Sequence, residues 1–157
     1  MQQDGDVIRQ KIDPEHLLPD ITLEPVEPPR PFCTHEIKID NEATPVGSLC
    51  FIEGDDELEG EAWFGWVEVD DDYAGAGIGT ATYLAAIGLA HSRGEKFRTD
   101  TLCIDPGAVK IWQRFINAGI AQVITPLEPA AFDEEGNSIS FKGHIEVLPS
   151  AGLENVK

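Results

Sequence analysis

Two hydrophobic rhythms alternate along the chain. Residues 34–39 alternate loosely, residues 45–52 (PVGSLCFI) form a near-continuous apolar run, and residues 61–69 (EAWFGWVEV) bring together Trp63, Phe64, Trp66, Val67 and Val69. β-Branched and aromatic residues suit a pleated surface, so all three segments predict strands. Turn residues separate them, at Asn41-Glu42 and at Gly54-Asp55-Asp56. Residues 70–79 predict a loop. From Ile78 to about His91 the spacing becomes helical, with Ala81, Leu84, Ala85, Ile87 and Gly88 as the packing face and Gly94 as the C-cap. Residues 97–104 (FRTDTLCI) predict another strand. Asp105 then offers an N-cap side chain and Pro106 suits the first helical position. Val109, Trp112, Phe115 and Ile116 recur on one face until Gly119. Residues 120–124 and 141–148 predict two last strands around an acidic turn at 133–137. The order is β-β-β-loop-α-β-α-β-β, a mixed α/β domain without internal repeats.

The first 31 residues follow neither rhythm. Pro14, Pro19, Pro25, Pro28, Pro29 and Pro31 exclude a long helix there. The segment predicts an extended acidic arm, 1–31, with a short helical turn at 14–18 after Asp13. Ile21, Leu23 and Val26 alternate as they would along a sheet edge. A single domain then occupies 32–150, and 151–157 form a tail; 157 residues suit one ordinary domain. The uncharged stretch 73–92 superficially fits a membrane helix with a Gly75-x-x-x-Gly79 face. Its glycines crowd one end, however, and Thr80, Thr82, Tyr83, His91 and Ser92 dilute the apolarity that a span of ~20 residues needs.

Charge changes the picture. Eleven Lys and Arg face 29 Asp and Glu, for a net charge of −18 and a pI near 4.3. Twenty of the acids but only four of the bases fall in residues 1–72. A phosphate backbone needs a Lys/Arg footprint, so a generic nucleic-acid binder is excluded, as is docking on an anionic membrane. Cys33, Cys50 and Cys103 form no CxxC pair, which argues against a disulfide scaffold or zinc ribbon and for reduced thiols in a cytoplasmic protein. His16, His35, His91 and His144 show no HxxxH or HExxH spacing, so the spacing predicts no metal site. The polar N-terminal hexapeptide is no signal peptide.

The chemistry-bearing stretch is Trp66-Val-Glu-Val-Asp-Asp-Asp-Tyr-Ala-Gly-Ala-Gly-Ile-Gly-Thr80. A strand runs into a glycine-rich loop that opens a helix. Glycines admit close backbone approach, and the unpaired N–H groups of a helix start favour phosphate. A Walker loop would need Gly-Lys-Ser/Thr, and no Lys is present. A dinucleotide fingerprint would need its third glycine at Thr80 or Thr82. What the stretch resembles is the acetyl-CoA motif of the GNAT family of N-acetyltransferases, Gln/Arg-x-x-Gly-x-Gly/Ala after the fourth strand. Gly77-Ile78-Gly79 match its last three positions. Asp105, Ala108, Ile111 and Trp112 resemble the family's Asn-x-x-Ala-x-x-Leu/Phe-Tyr helix, and the likeness spans residues 46–124.

The resemblance implies a mostly antiparallel mixed sheet flanked by helices. It also implies acetyl-CoA as co-substrate. The backbone of Val67 and Val69 would pair with the pantetheine arm. The N–H groups of Ala74, Gly75, Ala76, Gly77, Ile78, Gly79 and Thr80 would hold the pyrophosphate, with Asp105 also at the cofactor. Glu68, beside the thioester on the fourth strand, would be the general base. Two departures stand out. Ala74 occupies the Gln/Arg position, and Trp112 occupies that of the tyrosine that protonates the leaving thiolate. Tyr73, Tyr83 or Cys103 are candidate stand-ins.

Blander readings exist for each feature. The glycine loop also fits a structural turn and Glu68 a solvated strand residue. Trp63, Trp66 and Trp112 fit a core, and Cys103 fits a buried small apolar residue. The acidic runs 55–61 and 70–72 fit solvated turns, yet flank the active-site strand, where they would draw cations. Two functions follow. One is acetyl transfer to a cationic acceptor, either a small polyamine or a protein amine. The alternative is a catalytically inactive acidic fold that engages a basic protein or mimics nucleic acid. Adaptation to high salt is compatible with both, and no motif speaks to oligomeric state.

Overall fold

The computed structural model describes residues 11–15, 17–30, 33–40, 42–53, 61–73 and 75–148. Four strands come first: β1 (Ile21–Arg30), β2 (Cys33–Ile39), β3 (Gly47–Glu53) and β4 (Glu61–Val69), each antiparallel to the next. Helix α1 (Ile78–Ser92), the short strand β5 (Lys96–Phe97) and helix α2 (Pro106–Asn117) follow. The last elements are β6 (Ala121–Phe132) and β7 (Ser138–Val147). β5 pairs parallel to β4, giving the order β1-β2-β3-β4-β5, while β6 and β7 form a separate antiparallel hairpin. Bridges from Arg98 to Glu146 and from Ile104 to Phe141 attach the hairpin to the segment after β5. The result is the mixed, mostly antiparallel sheet with flanking helices that the family resemblance implies.

Strand alternation builds the core. Ile37 of β2, Leu49 and Phe51 of β3, Ala62 and Phe64 of β4, Phe97 of β5 and Ile145 and Val147 of β7 are buried. They belong to one cluster with residues of both helices. Phe97 lies between Phe51 and Trp112, nearly parallel to both, at centroid distances of 6.3 and 5.8 Å. The edges of Phe64 and Tyr83 complete the aromatic centre. In α2 the side chain of Asp105 accepts the N–H of Ala108 at 2.8 Å and Pro106 opens the first turn, as the sequence predicts.

β1 is the edge strand that the alternation of Ile21, Leu23 and Val26 predicts, and a sheet edge tolerates its prolines, which cannot donate. Other elements differ from expectation for identifiable reasons. The strand expected over 97–104 ends at Phe97. The Asp100 carboxylate accepts the N–H groups of Leu102 and Cys103 at 2.8 and 3.2 Å, which folds the chain into a turn and leaves Cys103 exposed rather than buried. The strand expected over 120–124 continues to Phe132 through Pro126 and Pro129, with repeated register shifts against β7. α1 is buried on most sides, while the expected face residues Ala85 and Gly88 are only half-buried. Its residues are small, so sheet and neighbours approach it from several directions. The turn expected at Asn41-Glu42 is made by the Glu42 N–H bonding to the Ile39 carbonyl, Asn41 lying outside the described residues. The turn at Gly54-Asp55-Asp56 and the acidic run up to Gly60 also lie outside them. No described helix is long and apolar enough to cross a membrane.

Candidate active site

The site begins with a defect in β4. Cys50 opposes Trp66 while Phe51 opposes Phe64, so Gly65 is the extra residue of a β-bulge. A bulge bends and twists its strand. β5 follows β4 only as far as Ala62, whose carbonyl accepts the Arg98 N–H at 3.0 Å; the next amide, Thr99, bonds instead to Ile145 of β7. Beyond that point the second edge of β4 has no strand partner among the described residues. The strands splay around a solvent-open cleft with a cavity volume of about 60 Å³. Phe64, Gly65 and Val67 of β4, Tyr83 of α1, and Asp105 and Trp112 line it.

The start of α1 lies at the end of the following loop. Gly75 and Gly77 have φ values of 79° and 82°, in the left-handed region that only glycine enters at low cost. Gly77 is the N-cap and supplies no side-chain acceptor, so the first N–H groups of the helix remain directed outward. A Cβ on Gly79 would stand 3.4 Å from Ile111 Cδ1, so α1 and α2 pack closely there. Arg114 of α2 donates from Nη1 to Thr80 Oγ1 at 3.1 Å, placing a guanidinium on the first turn of α1. Sequence reasoning passed over Arg114, because 34 positions separate it from Thr80 and no motif links them.

The candidate residues fall on two sides of β4. Val67 and Val69 are half-buried and pack toward the helices. Gly75 and Ala76 are exposed, Gly77 and Gly79 half-buried, and Ile78 and Thr80 buried. Ala74 lies outside the described residues. Asp105 is exposed at the cleft, its carboxylate engaged as the cap of α2. Glu68 is exposed on the opposite face, paired across the ladder with Ser48. Of the candidate stand-ins for the missing tyrosine, Tyr83 and Cys103 line the cleft, while Tyr73 sits in a 3-10 turn outside its lining. Burial, then the Asp105 carboxylate, push the Tyr83 phenol far above its usual range, and the Trp112 ring stands edge-on to it with centroids 5.9 Å apart. The hydroxyl therefore stays protonated. Trp112 is core, whereas Trp63 is half-buried with the Arg98 guanidinium 3.9 Å above its ring. The Trp66 side chain lies outside the described set.

The sheet face turned away from both helices is acidic. By strand alternation it carries Glu24, Glu36, Glu61, Glu68 and Glu146 against Lys38, Lys96 and Arg98. Lys38 is tied to Glu24 at 2.7 Å.

The family model for the acetyltransferase (GNAT) family matches residues 6–115. The chain belongs to the GNAT acetyltransferase family. A search of curated proteins finds no matching sequence. Among solved structures, the IAA acetyltransferase from Bacillus cereus ATCC 14579 is similar in fold, with a TM-score of 0.50 and 14% identity over 72% of this chain and 75% of that one. The GNAT-family acetyltransferase from Bacillus anthracis gives a TM-score of 0.48 and 15% identity over 73% of this chain and 64% of its own.

Proposed function

We propose that the protein moves an acetyl group from acetyl-CoA to a primary amine on a cationic acceptor, either a small polyamine or an amine of a protein. The observation that carries this reading is the splay of β4 from β5 at the Gly65 bulge. It opens a cleft beside an unpaired strand edge, close to an uncapped helix start. The free backbone edge from Trp63 to Val69 suits the amide-bearing pantetheine arm. The N–H groups of Ile78, Gly79 and Thr80, with Arg114 beside them, suit the pyrophosphate and offset the missing side chain at Ala74. When bound, acetyl-CoA supplies an acetyl group activated as a thioester.

The chain's own residues then have separate tasks. Glu68, on the open acidic face, accepts the proton that the attacking ammonium must lose. The Tyr83 hydroxyl, kept neutral, donates a hydrogen bond toward the departing sulfur, a role left vacant by the family's tyrosine position. The surplus of carboxylates on the open face attracts a cationic acceptor.

Thermal-shift and calorimetric titration with acetyl-CoA test the reading. Ligand at 100 times Kd stabilises by about 2.7 kcal/mol. The absence of any shift at millimolar acetyl-CoA would sink it in favour of an inactive binding fold. Glu68→Gln should reduce turnover with the acetyl-CoA affinity unchanged; unaltered turnover removes Glu68 from the mechanism.

A further inference from the structure

Glu61 opens β4, and His144 and Glu146 lie two residues apart on β7. They meet at the seam between the five-stranded sheet and the hairpin, where Arg98 pairs with Glu146. One ligating atom from each, an imidazole nitrogen and two carboxylate oxygens, all lie within 4.8 Å of one another. The side chains are only 25%, 23% and 14% exposed, respectively. His144 Nε2 is 2.9 Å from Glu146 Oε2, yet it is sealed from solvent and makes no aligned hydrogen bond. A buried polar atom in that condition is destabilising unless another group engages it. Two carboxylates at this separation also repel each other. The guanidinium of Arg98 offsets only one of them, standing 3.5 Å from Glu61 and resting on Trp63.

We propose that Glu61, His144 and Glu146 bind a divalent transition-metal ion of the zinc type, with water completing the coordination. An imidazole with two carboxylates suits zinc or manganese better than magnesium, which prefers oxygen ligands alone. Tetrahedral zinc bonds of about 2.0–2.1 Å place ligand atoms roughly 3.4 Å apart, so the three groups need to draw in by at most about 1.4 Å. The ion ties β4 to β7 across β5 and fixes the seam at the closed end of the splay. Sequence spacing could not reveal the site, because Glu61 belongs to β4 of the five-stranded sheet and the His144–Glu146 pair to β7 of the hairpin, far apart in the chain.

The full chain, stripped with chelator, is titrated with zinc alone by calorimetry and thermal shift. Excess magnesium occupies the exposed carboxylates. The expected result is one equivalent bound with a rise in melting temperature. Glu61→Gln and His144→Ala should each weaken binding by more than the ~10–100-fold that losing an outer hydrogen-bond partner costs a metal site. Near-ultraviolet circular dichroism checks that each variant is folded, and the near-isosteric Glu61→Gln decides if His144→Ala unfolds. Absence of a one-equivalent phase, or an unchanged isotherm in Glu61→Gln, overturns the proposal; the latter assigns any bound zinc to surface acids or cysteines.

Discussion

Alanine at each of three glycines separates backbone geometry from ligand contact at the start of α1. At Gly77, alanine must adopt φ near 82°, a left-handed conformation that costs about 1–2 kcal/mol. Its Cβ would also fall 2.6 Å from Leu18 Cδ2, so that side chain has to shift. A total of about 2 kcal/mol lowers the melting temperature by roughly 4–8 °C for a chain of this size. At Gly75, φ is 79° but no atom lies within 4 Å, so only the conformational cost of ~1 kcal/mol applies, or about 2–4 °C. Gly79 is helical, and its added Cβ would meet Ile111 at 3.4 Å, an ordinary contact. Alanine there recovers up to ~1 kcal/mol of helix propensity, so the variant melts at or above the wild-type temperature. Differential scanning fluorimetry without ligand ranks the three variants. Repeating it with acetyl-CoA locates the phosphate. The Gly75 Cβ projects into open space beside the proposed pyrophosphate, so Gly75→Ala should lose more of the ligand-induced shift than its stability cost explains. If Gly79→Ala proves as damaging as Gly77→Ala, the backbone argument fails. If Gly75→Ala keeps the full ligand-induced shift, the phosphate lies elsewhere.

Arg114→Gln should weaken acetyl-CoA binding by about 10–100-fold, since a hydrogen bond to a charged group contributes ~1.5–3 kcal/mol, and should flatten the salt dependence of Kd measured by calorimetry. Tyr83→Phe should lower kcat about tenfold at saturating acetyl-CoA, the effect of one hydrogen bond of ~1.4 kcal/mol, with Kd little changed; equal loss in both would make Tyr83 a packing residue. Burial, then the nearby Arg93, hold His35 below its usual 6.5. The unfolded chain therefore binds that proton more readily. The stability contributed by neutral His35 is complete above pH 6.5 and is lost as pH falls through the lowered value. The melting-temperature advantage of wild type over His35→Gln should shrink from pH 7.5 to pH 5, and an advantage that grows instead would refute the sign.

Elements whose signal is local were legible in the sequence. Asp105-Pro106 specifies the start of α2 by itself, because cap and first turn use adjacent residues. β3 and β4 announce themselves by composition, because both are interior strands of the meander. Elements decided by tertiary partners were not legible. Residues 97–104 have strand composition, but the Asp100 side chain competes for the backbone and the splay removes the neighbour that would hold a longer strand. β1 shows in the sequence only through the alternation of Ile21, Leu23 and Val26, and the outer half of β6 is visible only once another strand pairs with it, since its prolines argue against a strand in isolation. The glycine loop and helix start could be located from the motif. The bulge at Gly65 and the guanidinium at Thr80 could not, and Tyr83 stood only as one of three stand-ins beside Tyr73 and Cys103, because each depends on which residue faces which across the fold.

The same distinction explains how a strongly acidic chain suits an anionic ligand. Net charge acts on a ligand through distance as well as sign. At physiological ionic strength charges more than about 8 Å apart in solvent are largely screened. Neighbouring layers of a fold stand about 10 Å apart. The carboxylates of Glu24, Glu36, Glu61, Glu68 and Glu146 lie on one side of the sheet, while the first turn of α1 and Arg114 lie on the other. In the proposed binding mode the phosphates meet helix N–H groups and a guanidinium at contact distance, and the acidic face at a screened one. An acceptor approaching the open face meets the reverse balance, with five carboxylates against three bases, of which Lys38 and Arg98 are engaged in ion pairs. The proposed site thus places anion-binding groups and cation-attracting groups on opposite sides of a single strand, and the bulge at Gly65 is where its cleft opens between them.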